Sequence, residues 1–89
     1  DMYNYGGMDF EVIGNKEIKV RVGFDYGDST LWFDADVTDA SDPDRTSYKV
    51  SFELPKQYAK RLIFSFDFSS CPIKAASLEN IVLIPKKTD

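Results

Sequence analysis

Apolar and polar residues alternate one for one through most of this chain, a period that admits strands and excludes amphipathic helices. Ile18, Val20, Val22, Phe24 and Tyr26 alternate with Lys19, Arg21, Gly23 and Asp25. Leu31, Phe33, Ala35 and Val37 alternate with Trp32, Asp34 and Asp36. Tyr48, Val50, Phe52 and Leu54 alternate with Lys49, Ser51 and Glu53, and Leu62, Phe64, Phe66 and Phe68 with Arg61, Ile63, Ser65 and Asp67. A last strand runs from about Leu78 to Ile84 and stops at Pro85; a shorter one runs from Met8 to Ile13. Between them, residues 25–29 form a polar turn cluster, Thr38 to Thr46 reads as a loop, and Ser69-Ser70-Cys71-Pro72 is a break. Residues 56–60 have room for one helical turn and no more.

Each strand has one apolar face to bury, and such strands pair two sheets face to face. The expected fold is therefore all-β, an antiparallel β-sandwich, with a small barrel as the structural alternative. Residues 1–14 form an N-terminal segment with a short strand, 15–85 the sandwich core, and 86–89 a tail or linker. Val20, Val22, Phe33, Val50, Phe52, Phe64 and Phe66 are expected inside.

Composition narrows the function. With 89 residues, the chain makes one thin core and no deep cleft. It has no histidine, which removes the usual neutral-pH general base and His-based zinc sites. Its single cysteine, Cys71, allows no internal disulfide and has no histidine to activate it. The net charge of −4 is the wrong sign for nucleic acid or an anionic membrane, and no apolar run is long enough to span a bilayer. The chain starts at Asp1 without a visible leader, which reads as a trimmed or mature fragment. A domain that binds rather than transforms its ligand is expected.

The alternation also says what lies outside. If Leu31, Phe33, Ala35 and Val37 face the core, Trp32 points outward with Asp34 and Asp36. Slipping the register by one would bury the indole but also two carboxylates, at a large desolvation cost. An outward indole offers a flat apolar face to the C–H patches of a sugar ring, and carboxylates beside it accept hydrogen bonds from hydroxyls. Lys19, Arg21, Lys49, Ser51, Glu53, Ser65 and Asp67 also point outward, and those sharing the Trp32 sheet can add donors and acceptors. Tyr3 and Tyr5 lie two apart beside Gly6-Gly7 and can form an aromatic lip, pack on the sandwich edge, or be disordered. Tyr26 and Tyr48 continue core stripes and are structural. Seven of the eleven Asp lie between Asp25 and Asp44, which invites a structural calcium, but the spacing departs from the EF-hand and a solvated acidic loop is the default. Asp34 and Asp36 have a spacing compatible with a glycosidase pair, yet nothing encloses them to raise a pKa, so no enzyme is expected.

The order IKVRVGFDYG, TLWFDADVT, TSYKVSFELP, AKRLIFSFDFSS and SLENIVLIP resembles the later strands of the jelly-roll, galactose-binding-like carbohydrate-binding modules, in the broad group of families 4, 9, 16 and 22. Those modules commonly end in an apolar-x-F-x-F strand and then an apolar-Asp-Asn-apolar strand, matched here by Leu62 to Phe68 and Ser77 to Ile84, with Glu79 in place of the Asp. The resemblance covers residues 15–85 and implies a jelly-roll-like sandwich. It further implies a noncatalytic, secreted or cell-surface module of a polysaccharide-degrading enzyme, monomeric within a larger multidomain protein. Its partner would be a neutral plant polysaccharide such as a β-1,4-linked glucan, mannan or xylan, stacked on Trp32, the one residue to which the resemblance carries a role; Asp34, Asp36, Arg21, Tyr3 and Tyr5 join it as candidate binding residues from the residue pattern alone. The group often holds a structural calcium, but no position here matches a calcium motif, so no cofactor is carried over. A protein-interaction or adhesion sandwich of a cell-surface or multi-enzyme assembly is the alternative.

Overall fold

The computed structural model describes residues 1–14, 18–72 and 74–87. The alternating runs form strands, and the chain is an all-β antiparallel sandwich rather than a barrel. A short 3-10 helix over Met2–Asn4 leads into β1 (Tyr5–Ile13), β2 (Lys19–Asp25), β3 (Thr30–Asp34), β4 (Asp36–Asp42), β5 (Arg45–Ser51), β6 (Arg61–Asp67) and β7 (Ser77–Pro85). One sheet has the order β4-β5-β1-β7 and the other β3-β2-β6.

The core lies where the inward stripes meet. Met8, Phe10 and Val12 of β1, Val20, Val22 and Phe24 of β2, and Tyr48 and Val50 of β5 are all buried, with Ile18, Tyr26, Phe52 and Leu54 at the strand ends. Of the residues expected inside, Phe33, Phe64 and Phe66 pack against this core but remain partly exposed, because β3 and β6 are the edges of their sheet. Aromatic edges join the layers: Phe10 meets Phe64 at 5.3 Å and 83°, and Phe24 meets Phe52 at 4.9 Å and 64°. The Tyr48 hydroxyl donates to the Ile18 carbonyl at 2.5 Å, so that tyrosine is structural, as expected.

Three local expectations change. The N-terminal strand is nine residues long and sits inside its sheet, paired with β5 on one side and β7 on the other. Met8, Phe10 and Val12 of this segment are part of the sandwich core. Second, the run from Leu31 to Val37 is two strands. The chain changes sheet at Ala35, whose N–H donates to the Val20 carbonyl at 2.9 Å. The expected loop from Thr38 to Thr46 is then mostly strand: β4 and β5 form a hairpin with Asp42 opposite Arg45 around Pro43-Asp44. Third, residues 56–60 are not helical; Gln57 N–H donates to Pro55, and Lys60 N–H to Asp25 at 2.7 Å, tying this crossing to the end of β2. In the expected tail, Lys86 N–H donates to Asn4 at 3.0 Å, while residues 88 and 89 lie outside the described residues.

Four carboxylates are held below the ordinary carboxylate range. Glu11 is lowered first by the Asn80 amide and then by Arg45; Asp25 by the Gly27 N–H and then by Arg61; Asp39 and Asp67 by Ser41 and Ser69 two residues on. A carboxylate lowered on folding adds stability above its unfolded pKa and loses it as pH falls through the folded one. The melting temperature should therefore be flat from about pH 5 to about pH 8 and fall below about pH 4. Asp25→Asn should remove part of that slope in a pH series of melts. Phe10→Ala, which empties the contact with both Tyr48 and Phe64, should cost about 3–5 kcal/mol in denaturant unfolding.

Candidate functional site

With Val20, Val22 and Phe24 facing the core, β2 must turn Lys19, Arg21, Gly23 and Asp25 outward. The register aligns the neighbouring strands in rows across this outer face. Gly23 lies between Trp32 and Ile63, Arg21 between Asp34 and Ser65, and Lys19 beside Asp67. Asp25, between Thr30 and Arg61, makes an ion pair with the Arg61 Nε at 2.8 Å.

Trp32 is on this outer face, 38% exposed. Its six-membered ring lies against the backbone at Gly23, where an added Cβ would come within 2.7–2.9 Å of three ring carbons. The guanidinium of Arg21 sits over the same indole, 4.6 Å from the ring centroid. A glycine inside a strand marks a close approach of this kind, and Gly23 in the row opposite the only tryptophan was the signal available in the sequence. Arg21 makes no ion pair among the described residues. Its planar fork of N–H donors therefore stands beside the partly open indole.

Next to this pair is a shallow cleft of about 400 Å³ lined by Lys19, Arg21, Asp34, Ser65 and Asp67, with Val20 and Ala35. Two cations and two carboxylates line it, so its formal charge cancels. It offers hydroxyl, carboxylate, ammonium and guanidinium groups within one row or two of the indole.

The structure brings together Trp32, Arg21 and Asp34 and leaves three expected residues elsewhere. Asp36 belongs to β4 in the other sheet, opposite Lys49, and does not line the cleft. The change of sheet at Ala35 separates it from Trp32. Tyr3 lies in the 3-10 helix with the Lys86 ammonium 4.1 Å from its ring centroid. Tyr5 opens β1 opposite Pro85 and packs against the core. Neither tyrosine lies on the strands of the Trp32 sheet; Tyr5 packs on the sandwich edge, and Tyr3 meets the Lys56 and Lys86 side chains.

The other sheet has a second polar depression, lined by Asp9, Glu11, Thr38, Ser47, Lys49 and Asn80. Its central carboxylate is already used: Glu11 accepts from Arg45 at 2.5 Å and from the Asn80 amide. The acidic hairpin is spent on its own turns as well, with Asp39 accepting from the Ser41 N–H at 2.9 Å and Asp42 from the Asp44 N–H at 2.9 Å. Among the described residues, no group of three or more acidic or cysteine side chains is placed to hold a metal ion. The chain matches no family model, no curated protein and no solved structure at significance.

Gly23→Ala tests the geometry directly. The new methyl group must displace the indole, and Trp32 is the only tryptophan. Its fluorescence should shift to the red as the ring moves into water, with a loss of about 1–3 kcal/mol in stability. An unchanged emission maximum would mean that the ring does not lie on Gly23.

Proposed function

We propose that the protein is a noncatalytic carbohydrate-binding module that takes neutral polysaccharide on the outer face of the β3-β2-β6 sheet. The observation that carries this reading is the Trp32–Arg21 stack held over Gly23 beside a cleft whose charges cancel. Sugar rings are apolar on their faces and rimmed by hydroxyls. A half-exposed indole suits the first property. The Arg21 and Lys19 donors and the Asp34, Asp67 and Ser65 acceptors suit the second. A charge-balanced wall favours an uncharged ligand over a polyanion. A shallow, open cleft suits a chain that runs across the surface rather than a small molecule enclosed in a pocket. The module would be extracellular and would raise the local concentration of an attached enzyme at a β-1,4-linked glucan, mannan or xylan.

Affinity electrophoresis against soluble glucan, mannan and xylan, followed by titration with an oligosaccharide, tests the reading. Trp32→Ala should weaken binding on the order of 30-fold. Arg21→Ala and Asp34→Ala should each weaken it by roughly 1–3 kcal/mol. Asp36→Ala, on the other sheet, should leave affinity unchanged. Binding should vary little with salt, since few ions are released. Retention by polygalacturonate or heparin in preference to neutral glycans would exclude the reading.

A further inference from the structure

Four strands form the sheet edges: β4 and β7 in one sheet, β3 and β6 in the other. Exposed edges invite pairing with another chain, and proteins usually block them by shortness, charge, bulges or proline. β3 has only five residues. β4 is acidic and its pairing with β5 shifts register twice. β7 shifts register against β1, holds Asn80 at φ 54°, and ends in Pro85. β6 is neither short, bulged nor closed by proline, and its charges, Arg61 and Asp67, stand only at its two ends. All seven of its residues pair with β2 without a shift, and no strand lies on its other side among the described residues. Its inward side chains stay partly open: Leu62 is 39% exposed, and Phe64 and Phe66 are half-buried.

The strand reads Arg61-Leu-Ile-Phe-Ser-Phe-Asp67. Turned end for end about Phe64, it meets itself with Arg61 opposite Asp67, Leu62 opposite Phe66, Ile63 opposite Ser65, and Phe64 opposite Phe64. Directly opposed residues of an antiparallel pair share a face, so apolar inward side chains meet apolar ones and opposite charges close both ends. Moving the register by two in either direction pairs only residues 61–65 or 63–67 and loses the charge match. The charged ends have capacity for this. Arg61 reaches Asp25 through Nε, leaving its terminal nitrogens, and Asp67 uses Oδ1 for the Ser69 N–H.

We propose that β6 pairs antiparallel with β6 of a second copy of this chain, in the register centred on Phe64, joining two three-stranded sheets into one. Because Ala35 alone links β3 to β4, those two edges share one flank of the sandwich and β6 and β7 share the other. The approach of two copies therefore also brings their β7 edges together, where Ile81 and Val82 are exposed.

Sedimentation velocity from about 1 µM to about 1 mM should show a dimer that grows with concentration. Arg61→Asp and Asp67→Arg, made separately, each set like charges opposite each other at both ends and should weaken association by about tenfold or more. Made together, they reverse both partners and should restore it. In the unmodified protein, the β6 amides directed away from β2 should gain protection from hydrogen exchange as concentration rises, which decides the matter even if a variant fails to fold. A monomer throughout, a dimer indifferent to both single changes, a double change that fails to restore it, or protection gained on β3 or β7 and not on β6 would overturn the proposal.

Discussion

Among the described residues no ladder of backbone hydrogen bonds joins the two sheets, so their relative position depends on side chains meeting across the core. Phe10 holds one end of the core. It stacks on Tyr48 of its own sheet, 5.4 Å between centroids, and presents its face or edge to Phe64 of the other. Tyr48 in turn reaches the start of β2 through its hydroxyl. At the far end of the core, Phe24 and Phe33 both close on Phe52. Aromatic pairs prefer edge-on and offset geometries, so these contacts fix orientation as well as separation. The outer face inherits that order. Val22 and Phe24 are locked inward, and the intervening Gly23 is thereby fixed outward beneath the indole of Trp32.

The fold class was legible because period two survives in every strand that contributes to the core. What the alternation could not reveal was the change of sheet. Leu31, Phe33, Ala35 and Val37 keep their period through the crossing, and a small residue at the corner leaves no mark in a hydrophobic pattern. Asp36 was grouped with Trp32 for that reason. β4 was hidden for a related one: an edge strand carries charge to resist pairing, and Asp39, Ser41 and Asp42 read as turn residues. β1 is longer than the expected Met8 to Ile13 because Gly6 and Gly7 carry no side chain to show the alternation. In the fold, Gly7 lies where an added Cβ would meet the Val50 carbonyl at 2.7 Å, so the glycine serves close strand packing.

The site was partly legible on the same grounds. Parity alone put Trp32, Asp34 and Arg21 outside, and strand pairing placed them on adjacent rows. Pairing itself is not written in any single strand. Nothing in the sequence says that β2 lies between β3 and β6, so Lys19, Ser65 and Asp67 were outward residues without an address until the register joined them to the cleft. Tyr3 and Tyr5 show the reverse limit. Their spacing is regular, but their neighbours are set by β7 and by Lys86, which lie at the other end of the chain.

The two proposals meet in the geometry of the three-stranded sheet. Antiparallel pairing of identical strands requires a two-fold axis perpendicular to the sheet, and such an axis keeps each copy's outer face on the same side. A dimer through β6 would therefore carry both Trp32 clefts on one surface. With strands about 4.8 Å apart, the two β3 strands would stand roughly 24 Å from each other across the joined sheet. On the proposed reading, a single shallow cleft with one aromatic platform gains little from enclosure and would bind weakly by itself. Two of them on one face would turn the second contact with a long glycan into an intramolecular event, and affinity would rise without any new kind of contact. Short oligosaccharides cannot reach both clefts. A gain that appears only with polymer, and disappears when β6 pairing is broken, would tie the unprotected edge of this sheet to the use of its face.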